Sequence, residues 1–324
     1  MKKKTIINIF VIFILLCLLY GFIFGDKNIK ITKGGNYNFK GNYNCITVNT
    51  KENVNINLEN VNINCDKGPS INILSDNRVT INIKGNNTIT SNTNEDLDGA
   101  IYSKKDLVID GTGNLKIKSN YNGIVSKDTV IIKNGNITIK SKDKGIKAKS
   151  LFQMDNGKIT INSQDDGIHS DMNVIIKKGT INIESDDDGI HGDGLVEINN
   201  GDIFISSEEG IEGTYVKINN GKITINAKDD GINAANKTDI YEVLLEINNG
   251  DININVVCED DCDALDSNGD LIVNGGNINI TSVFAFDFDG EGILNNGTIT
   301  FNGKSIDKIT NTMKEEQSKL VKGK

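Results

Sequence analysis

The sequence predicts an all-β protein, a right-handed parallel β-helix in which each short coil of chain stacks on the next. Three observations lead to this fold class: a motif that recurs about every 22 residues, isoleucines that alternate with polar residues, and abundant asparagine and glycine. Repeats of this length are typical of solenoids, because one repeat is too thin to bury its own apolar face. We therefore predict one single-stranded β-helix from about residue 29 to 302.

The recurring motif is clearest around the two histidines of the chain. The segment Asp166–His169 (DGIH) returns 22 residues later as Asp188–His191. The motif continues downstream and weakens upstream, with its central position at Gly99, Gly123, Gly145, Gly167, Gly189, Gly210, Gly231 and Ala264. Residues that recur at this spacing lie one above another in a solenoid, so each recurring side chain should form a column.

Each coil is predicted to hold three short strands joined by turns. Val174 and Ile176 precede a turn at Gly179, and the same alternation follows the glycine in TINIES. A period of two indicates strands with one buried face. The third strand carries the DGI motif, with Ile168 and Ile190 expected to face inward. Asn-Gly and Lys-Gly pairs suit corners that need a positive φ, and parallel crossovers are right-handed in nearly all proteins.

The two ends of the chain depart from the repeat. Residues 1–25 join three lysines to an apolar run, which is typical of an export signal or a membrane anchor. No convincing cleavage site follows, so we favour an uncleaved signal anchor, with a cleaved signal peptide as the alternative. The β-helix domain then covers 26–302 and a charged tail covers 303–324. Either alternative places the domain outside the cytoplasm, at the cell surface or secreted.

Composition narrows the location and the partners. A net charge of −9 with one arginine argues against a nucleic-acid partner, which needs a basic footprint. Four cysteines lie outside the apolar run: Cys45, Cys65, Cys258 and Cys262. The first two are about one coil apart and can lie one above the other. Disulfides are permitted outside the cytoplasm, and free buried thiols are the alternative. We expect a monomer.

Paired acids precede the glycine of the motif on four successive coils. They are Asp165 and Asp166, Asp187 and Asp188, Glu208 and Glu209, and Asp229 and Asp230. Carboxylates stacked about 4.8 Å apart repel by roughly 1 kcal/mol in water, or ~3.5 kcal/mol at an effective dielectric of about 20. Ca²⁺ reverses that sign and accepts many oxygen ligands in irregular geometry. We therefore predict calcium sites here; the alternative is a solvated acidic face whose aspartates serve turns.

A second column lies two residues after the glycine. Its members are His169, His191, Glu212, Asn233 and Asp266. The first four are our candidate ligand-binding residues, with exposed polar residues that bind nothing as the alternative. The histidines can be metal ligands or hydrogen-bond partners of a sugar, although two imidazoles alone make a weak case for zinc. Asp171 and Asp193, two residues further on, are weaker candidates for the same cluster.

The serial order of the motifs resembles bacterial carbohydrate-binding proteins with a pectate-lyase-like β-helix. The resemblance covers about residues 29–302 and includes ITKGGNYNF, VNINLENVNI, DLDGAIYSKKDLVIDGTG, two DDGIH turns, EEGIEG, DDGINAA and DALDSNG. It implies that the chain binds plant-type polysaccharides, cellulose or pectic polymers, rather than hydrolysing them. It also implies calcium at the turns Asp165–His169 and Asp187–His191.

The sequence departs from this pattern at three turns. YNGIV and DKGIK lack the usual acids, and DALDSNG has alanine in place of glycine, which argues against calcium there. The absence of tryptophan argues against a flat aromatic platform for crystalline cellulose. Acidic or soluble glycans bridged through calcium are therefore the preferred ligands.

Two lysines, Lys144 and Lys147, interrupt the acidic pattern one coil before Asp166. They are candidate ligand contacts or counter-charges to the carboxylates. A lysine near Ca²⁺ and carboxylates can have its pKa lowered, so in a lyase these residues would be candidate bases. The main hypothesis is a calcium-dependent polysaccharide-binding protein. The alternatives are a calcium-dependent pectate-type lyase and a structural surface protein stiffened by calcium.

Overall fold

The fold is an all-β parallel solenoid of about 12 turns, as the sequence predicts, with about 22 residues in each turn. The structure is a computed structural model that describes residues 28–258 and 262–312. Within these ranges every strand pairing is parallel except the last. The right-handed sense of the coil stays a prediction from the crossover rule.

The strands stack on three faces. The first face carries the DGI motif and contains β1 (Ile29–Ile31), β3 (Ile46–Val48), β5 (Ile71–Ile73), β8 (Gly99–Ser103), β11 (Asn122–Ser126), β14 (Ile146–Ala148), β17 (Ile168–Ser170), the starts of β20 (Ile190–Ile198) and β22 (Ile211–Ile218), β24 (Ile232–Ala234), β27 (Asp263–Ser267) and β30 (Phe284–Phe288).

The second face follows the first in each coil. It contains the first halves of β2 (Gly35–Tyr43) and β4 (Val54–Cys65), then β6 (Val79–Lys84), β9 (Leu107–Gly111), β12 (Thr129–Ile132), β15 (Leu151–Met154), β18 (Asn173–Ile176), the ends of β20 and β22, β25 (Leu244–Ile247), β28 (Asp270–Val273) and β31 (Gly292–Leu294).

The third face closes each coil. It contains the second halves of β2 and β4, then β7 (Asn86–Ser91), β10 (Asn114–Ser119), β13 (Asn136–Lys140), β16 (Lys158–Ser163), β19 (Thr180–Ser185), β21 (Asp202–Ser207), β23 (Lys222–Ala227), β26 (Asp251–Val256), β29 (Asn277–Thr281), β32 (Thr298–Phe301) and the antiparallel β33 (Lys304–Ile306). A single 3-10 turn at Glu95–Leu97 precedes β8.

The core is a continuous stack of branched aliphatic side chains from all three faces. Ile168, Ile190, Ile211 and Ile232 are fully buried, which confirms that the DGI isoleucines face inward. The corner between the second and third faces uses glycines at positive φ, as predicted, among them Gly201 and the glycines above and below it in the stack. Parallel pairing in register places each isoleucine on the isoleucine of the next coil.

Two disulfides join the cysteines whose state the sequence left open. Cys45 is bonded to Cys65, and Cys258 is bonded to Cys262. The first bridge links neighbouring coils near the start of the solenoid, so Cys45 and Cys65 do lie one above the other. Residues 259–261, between the second pair, lie outside the described residues.

The end of the solenoid differs from the sequence prediction. A charged tail was expected from residue 303, but β33 turns back on β32, and Ile309 is buried in the core. The Thr312 hydroxyl accepts hydrogen bonds from the amides of Ala285 and Phe286. Residues 303–312 therefore cover the last coil, which removes an open strand edge; residues 313–324 lie outside the described residues.

The N-terminal prediction is not tested by this fold. The proposed signal anchor at 1–25 lies outside the described residues. In the part of the chain that the structure describes, no helix has the length and apolar character needed to cross a membrane.

The motif glycine is required because the coils approach each other closely there. A Cβ added at Gly189 would lie 2.6 Å from the carbonyl oxygen of Gly210 and would also collide with Ile205. We expect Gly189→Ala to lower the free energy of unfolding by about 1–3 kcal/mol through overpacking. Guanidinium denaturation measures this loss. Lys222→Ala, on the exposed side of the third face, is the control and should stay within about 0.5 kcal/mol; equal stability of the two variants would contradict the packing argument.

Candidate functional site

The acidic turns stack directly on one another at the corner between the third and first faces, which we call the acidic corner. The amide of Gly145 donates to the carbonyl of Asp166 at 2.9 Å, and the amide of Gly167 donates to that of Asp188 at 2.8 Å. The same bond repeats from Gly189 to Glu209 and from Gly210 to Asp230. The four acid pairs therefore occupy the same corner on adjacent coils, as the sequence predicts.

The two acids of a pair differ in where they point. The side chain of Asp166 is 3% exposed, whereas that of Asp165 is 31% exposed. Asp188 is likewise buried, and Asp187 is exposed. The backbone amide of Asp188 donates to Asp166 Oδ1 at 3.3 Å, so the buried Asp166 carboxylate is hydrogen-bonded to the turn of the next coil. In these two pairs, therefore, Asp166 and Asp188 lie against the protein, and Asp165 and Asp187 are turned towards solvent.

The second column predicted from sequence is a continuous row on the outside of the first face, which we call the outer row. In register order it contains Lys147, His169, His191, Glu212, Asn233 and Asp266. The imidazoles of His169 and His191 stack with ring centroids 4.8 Å apart. The acidic corner and the outer row are adjacent, and their side chains meet.

Each histidine is held between carboxylates on both sides of its ring. His169 Nδ1 lies 2.7 Å from Asp166 Oδ2, and its Nε2 lies 3.2 Å from Asp171 Oδ1. His191 repeats this arrangement with Asp188 at 2.6 Å and Asp193 at 3.0 Å. Asp171 and Asp193, weaker candidates in the sequence, are thus fixed partners of the rings.

His191 has a third carboxylate neighbour. Its Nδ1 lies 2.9 Å from Glu212 Oε2, while Glu212 Oε1 lies 2.7 Å from Lys237 Nζ. Burial alone would lower the pKa of His191, but hydrogen bonds and charges from Asp188 and Glu212 outweigh it and raise that pKa to about 11. The imidazole therefore serves as a built-in cation among carboxylates.

Lys144 supplies a second built-in cation. Its Nζ lies 2.7 Å from Asp165 Oδ1 and 2.6 Å from Asp166 Oδ2. Burial by itself would lower the pKa of Lys144, but the charge of Asp166 and hydrogen bonds to both aspartates raise it instead. The raised pKa of Lys144 argues against a role as lyase base and matches the alternative of a counter-charge to the carboxylates. Lys147 is the second residue of β14 and pairs in register with His169, its neighbour in the outer row.

Two other carboxylates of the acidic corner, Asp187 and Glu209, have raised pKa values. Burial, followed by the charges of Asp166 and Asp165, raises the pKa of Asp187. Burial also raises the pKa of Glu209 to about 8, with further contributions from Glu212 and Asp188. Ionising these groups together is unfavourable in the absence of further positive charge, so a bound cation would relieve the repulsion.

Three groups of side chains in the described ranges can hold a metal ion. Their ligand atoms lie within 4.8 Å of one another, and the groups are Asp165, Asp166 and Asp187; Asp166, His169 and His191; and Asp188, His191 and Glu212. The first group offers only carboxylate oxygens, which fits Ca²⁺. The other two mix nitrogen and oxygen donors.

Four of the predicted calcium ligands join none of these groups within the described residues: Glu208, Glu209, Asp229 and Asp230. Glu208 instead pairs with Lys228 at 3.4 Å, and Glu209 accepts from Asn233 Nδ2 at 3.2 Å. Asp230 Oδ1 accepts from the amide of Asp263. The amide oxygen of Asn233, in the adjoining outer row, is buried without a hydrogen-bond partner. This oxygen is therefore available as a ligand for a cation.

Sequence reasoning missed two features beside the acidic corner. Lys237 belongs to an insertion between β24 and β25, and hydrogen bonds from its amide and that of Thr238 to Thr214 fold the insertion back towards Glu212. A polar cavity of about 440 Å³ borders the corner on the third face, lined by residues that include Asn162, Glu184, Ser206 and Lys228. The inserted loop around Asn236–Val243 is visible in the sequence, where Gly231 and Ala264 are 33 residues apart, but that spacing does not place Lys237 beside Glu212.

Comparison with known proteins identifies the family. A model described as carbohydrate-binding domain-containing protein matches residues 25–215 and 206–318. The chain belongs to this family. Membership in the carbohydrate-binding domain-containing family indicates an interaction with polysaccharide. The comparison with curated proteins returns no match.

One solved structure is similar to the chain. It is described as a polysaccharide lyase-like protein from C. thermocellum, in a gadolinium derivative. The sequences are 22% identical, the TM-score is 0.44, and the alignment covers 86% of this chain and 89% of that chain.

The buried ion pair of Lys144 generates a stability prediction. Lys144→Met leaves Asp166 buried beside Asp165 with no ammonium, and breaking a buried pair in this way costs about 3 kcal/mol. Guanidinium denaturation in the presence of chelator measures the loss. Lys228→Met is the matched control, because its pair with Glu208 is exposed and should contribute less than about 1 kcal/mol. Similar losses in both variants would refute the special role of Lys144.

The pKa of Asp266 generates a pH prediction. Burial, followed by the charges of Asp230 and Asp287, raises that pKa to about 7. The folded state then binds more protons than the unfolded state between about pH 4 and pH 7, so this group makes stability fall as pH rises through that window. Asp266→Asn should flatten the decrease in Tm between pH 5 and pH 8, measured with chelator present. Exposed Asp202→Asn should keep the parent slope, and an unchanged slope in Asp266→Asn would contradict the assignment.

Proposed function

We propose that the protein is an extracytoplasmic, calcium-dependent polysaccharide-binding protein. The observation that carries this proposal is the group of Asp165, Asp166 and Asp187, three carboxylates within 4.8 Å of one another beside the outer row. Family membership supports the polysaccharide part of the proposal. The calcium part is supported by the all-oxygen donor set and by the raised pKa of Asp187.

Calcium at this group has to share carboxylates with Lys144. The ammonium contacts one oxygen of Asp165 and one oxygen of Asp166. Each carboxylate has a second oxygen, and Asp187 adds two more that face solvent. A cation bound to these oxygens leaves outward coordination positions for water or for groups of the ligand, since Ca²⁺ accepts more oxygens than three side chains provide.

The preferred ligand is an acidic polysaccharide such as a pectic polymer. A carboxylate of the glycan can complete the coordination of Ca²⁺, while Lys147 in the neighbouring outer row offers an ammonium group as hydrogen-bond donor. The cavity on the third face adds amide, hydroxyl and ammonium groups on the other side of the corner. These polar surfaces run along the solenoid axis, which suits a linear chain of sugars.

The proposed location outside the cytoplasm rests on two features of the chain. Disulfides between Cys45 and Cys65 and between Cys258 and Cys262 persist in oxidising compartments. The basic and apolar segment at 1–25 matches an export signal or anchor.

Binding to polygalacturonate with and without chelator tests the proposal. We expect the parent protein to bind with calcium, to lose at least about 10-fold in affinity with EGTA, and Asp187→Asn to show a similar loss in calcium. Asp202→Asn, an exposed change outside both the acidic corner and the cavity, controls for loss of one surface carboxylate and should keep the affinity and its calcium dependence.

Three outcomes would count against this function. Binding that ignores both EGTA and Asp187→Asn would remove calcium from the mechanism. A rise in absorbance from an unsaturated product would show that the protein is a lyase rather than a binding protein. Retention on none of a panel of pectic, cellulosic and other plant polysaccharides would favour a structural surface protein.

A further inference from the structure

A second cavity lies on the first face, upstream of the four acid pairs and apart from the proposed calcium site. Its volume is about 360 Å³, within the range of roughly 300–1,000 Å³ that is typical of small-molecule sites. Its turn residue Asp98 lies three coils before Asp165, which is about 14 Å along the solenoid. The residues that line it include Asn72, Leu74, Glu95, Asp98, Tyr102 and Lys127.

Part of the lining is apolar. Leu74 is a large hydrophobic side chain that is 39% exposed, and it lies directly after β5. Tyr102 on β8 is partly exposed and pairs in register with Asn72 on β5. An aromatic ring and an aliphatic side chain in an otherwise polar cavity match the amphipathic character of a sugar ring. The C–H groups of such a ring pack on apolar surface, while its hydroxyls form hydrogen bonds.

The amide of Asn72 supplies an unused hydrogen-bonding group. Its Oδ1 is buried and has no hydrogen-bond partner in the described part of the chain. A buried acceptor without a donor is unfavourable. The terminal torsion of asparagine is broad, so a small rotation turns this oxygen towards the cavity, where a ligand hydroxyl can donate to it.

The charged groups of the cavity favour a neutral ligand over an acidic one. Its lining carboxylates are those of Glu95, Asp96 and Asp98, and they outnumber its lysine ammonium. Lys127 Nζ lies 2.5 Å from Asp98 Oδ2, and Asn122 Nδ2 donates to Asp98 Oδ1 at 3.0 Å, so Asp98 is held in place. The carboxylates repel an acidic sugar, whereas the hydroxyls of a neutral sugar can donate to them.

We propose that this cavity binds one neutral sugar residue of the polysaccharide, without a metal ion. The proposal rests on the polysaccharide part of the proposed function and adds a subsite to it. Tyr102 and Lys147 lie in the same register column, with Val125 between them, so the cavity and the outer row follow one line on the first face. A polysaccharide along this line contacts the cavity through a neutral residue and the calcium site through an acidic one.

Titration calorimetry of the full chain with neutral hexasaccharides, in EGTA, tests the assignment. The probes are the β-1,4-linked hexamers of glucose, xylose and galactose, and we expect at least one to bind. Tyr102→Ala should weaken that binding by about 10-fold through loss of an aromatic contact, and Asn72→Ala by about 3- to 10-fold. Phe204→Ala removes an aromatic side chain of 39% exposure from the third face and is the matched control. It should bind within about 2-fold of the parent, as should Asp187→Asn.

Three results would overturn this subsite: no binding of any neutral hexasaccharide in EGTA, parent-like affinity in both Tyr102→Ala and Asn72→Ala, or loss of the neutral ligand in Asp187→Asn. All variants are compared at parent-like Tm and far-UV circular dichroism. Binding of polygalacturonate in calcium is measured separately. If it persists while the neutral probes fail, the subsite is wrong and the proposed function stands. If it is absent while neutral binding depends on Tyr102, the calcium-dependent function is wrong and the subsite stands.

Discussion

The stacking of identical corners is the constraint on which the rest of this structure depends. Backbone hydrogen bonds from Gly145, Gly167, Gly189 and Gly210 to the acidic residue of the next coil hold the successive turns in register. Like charges therefore lie above one another at a separation of about 4.8 Å, where each pair repels by roughly 1 to 3.5 kcal/mol, depending on the local dielectric. A solenoid that repeats an acid must compensate it locally, because distant charges are screened.

Compensation comes from inside the chain at some coils and is incomplete at others. Lys144 contacts both acids of the first pair, His191 lies between Asp188 and Glu212, and Lys237 contacts Glu212 from an insertion. The pKa of Asp187 is raised by burial and then by the charges of Asp166 and Asp165, which together outweigh the opposing charges of Lys144 and His191. We therefore expect the acidic corner to bind an added cation at those coils where the chain's own lysine and histidine side chains do not balance the carboxylates.

The sequence predicted the parts of the structure that follow from periodicity. The spacing near 22 residues predicts the solenoid, and the alternation of apolar and polar residues around Ile190 predicts which face is buried. Because His169 and His191 occupy the same position in successive repeats, the sequence also predicts that one lies on the other. Contacts across the corner depend on side-chain direction, which periodicity does not encode. For this reason the pairing of Lys144 with two aspartates, and the contact of Lys237 from a loop of irregular length, could not be derived from the repeat.

The outer row also has a direction along the solenoid axis. It runs from Lys147 through the two histidines to Glu212 and on to Asp266, so its chemistry changes from cationic to acidic over successive coils. A linear ligand with carboxylates finds direct electrostatic attraction at the lysine end only. At the acidic end the same ligand needs a bridging cation, because carboxylate would otherwise face carboxylate. Metal dependence should therefore be a local property of the histidine and acidic coils, and the lysine end should contribute binding that survives chelation.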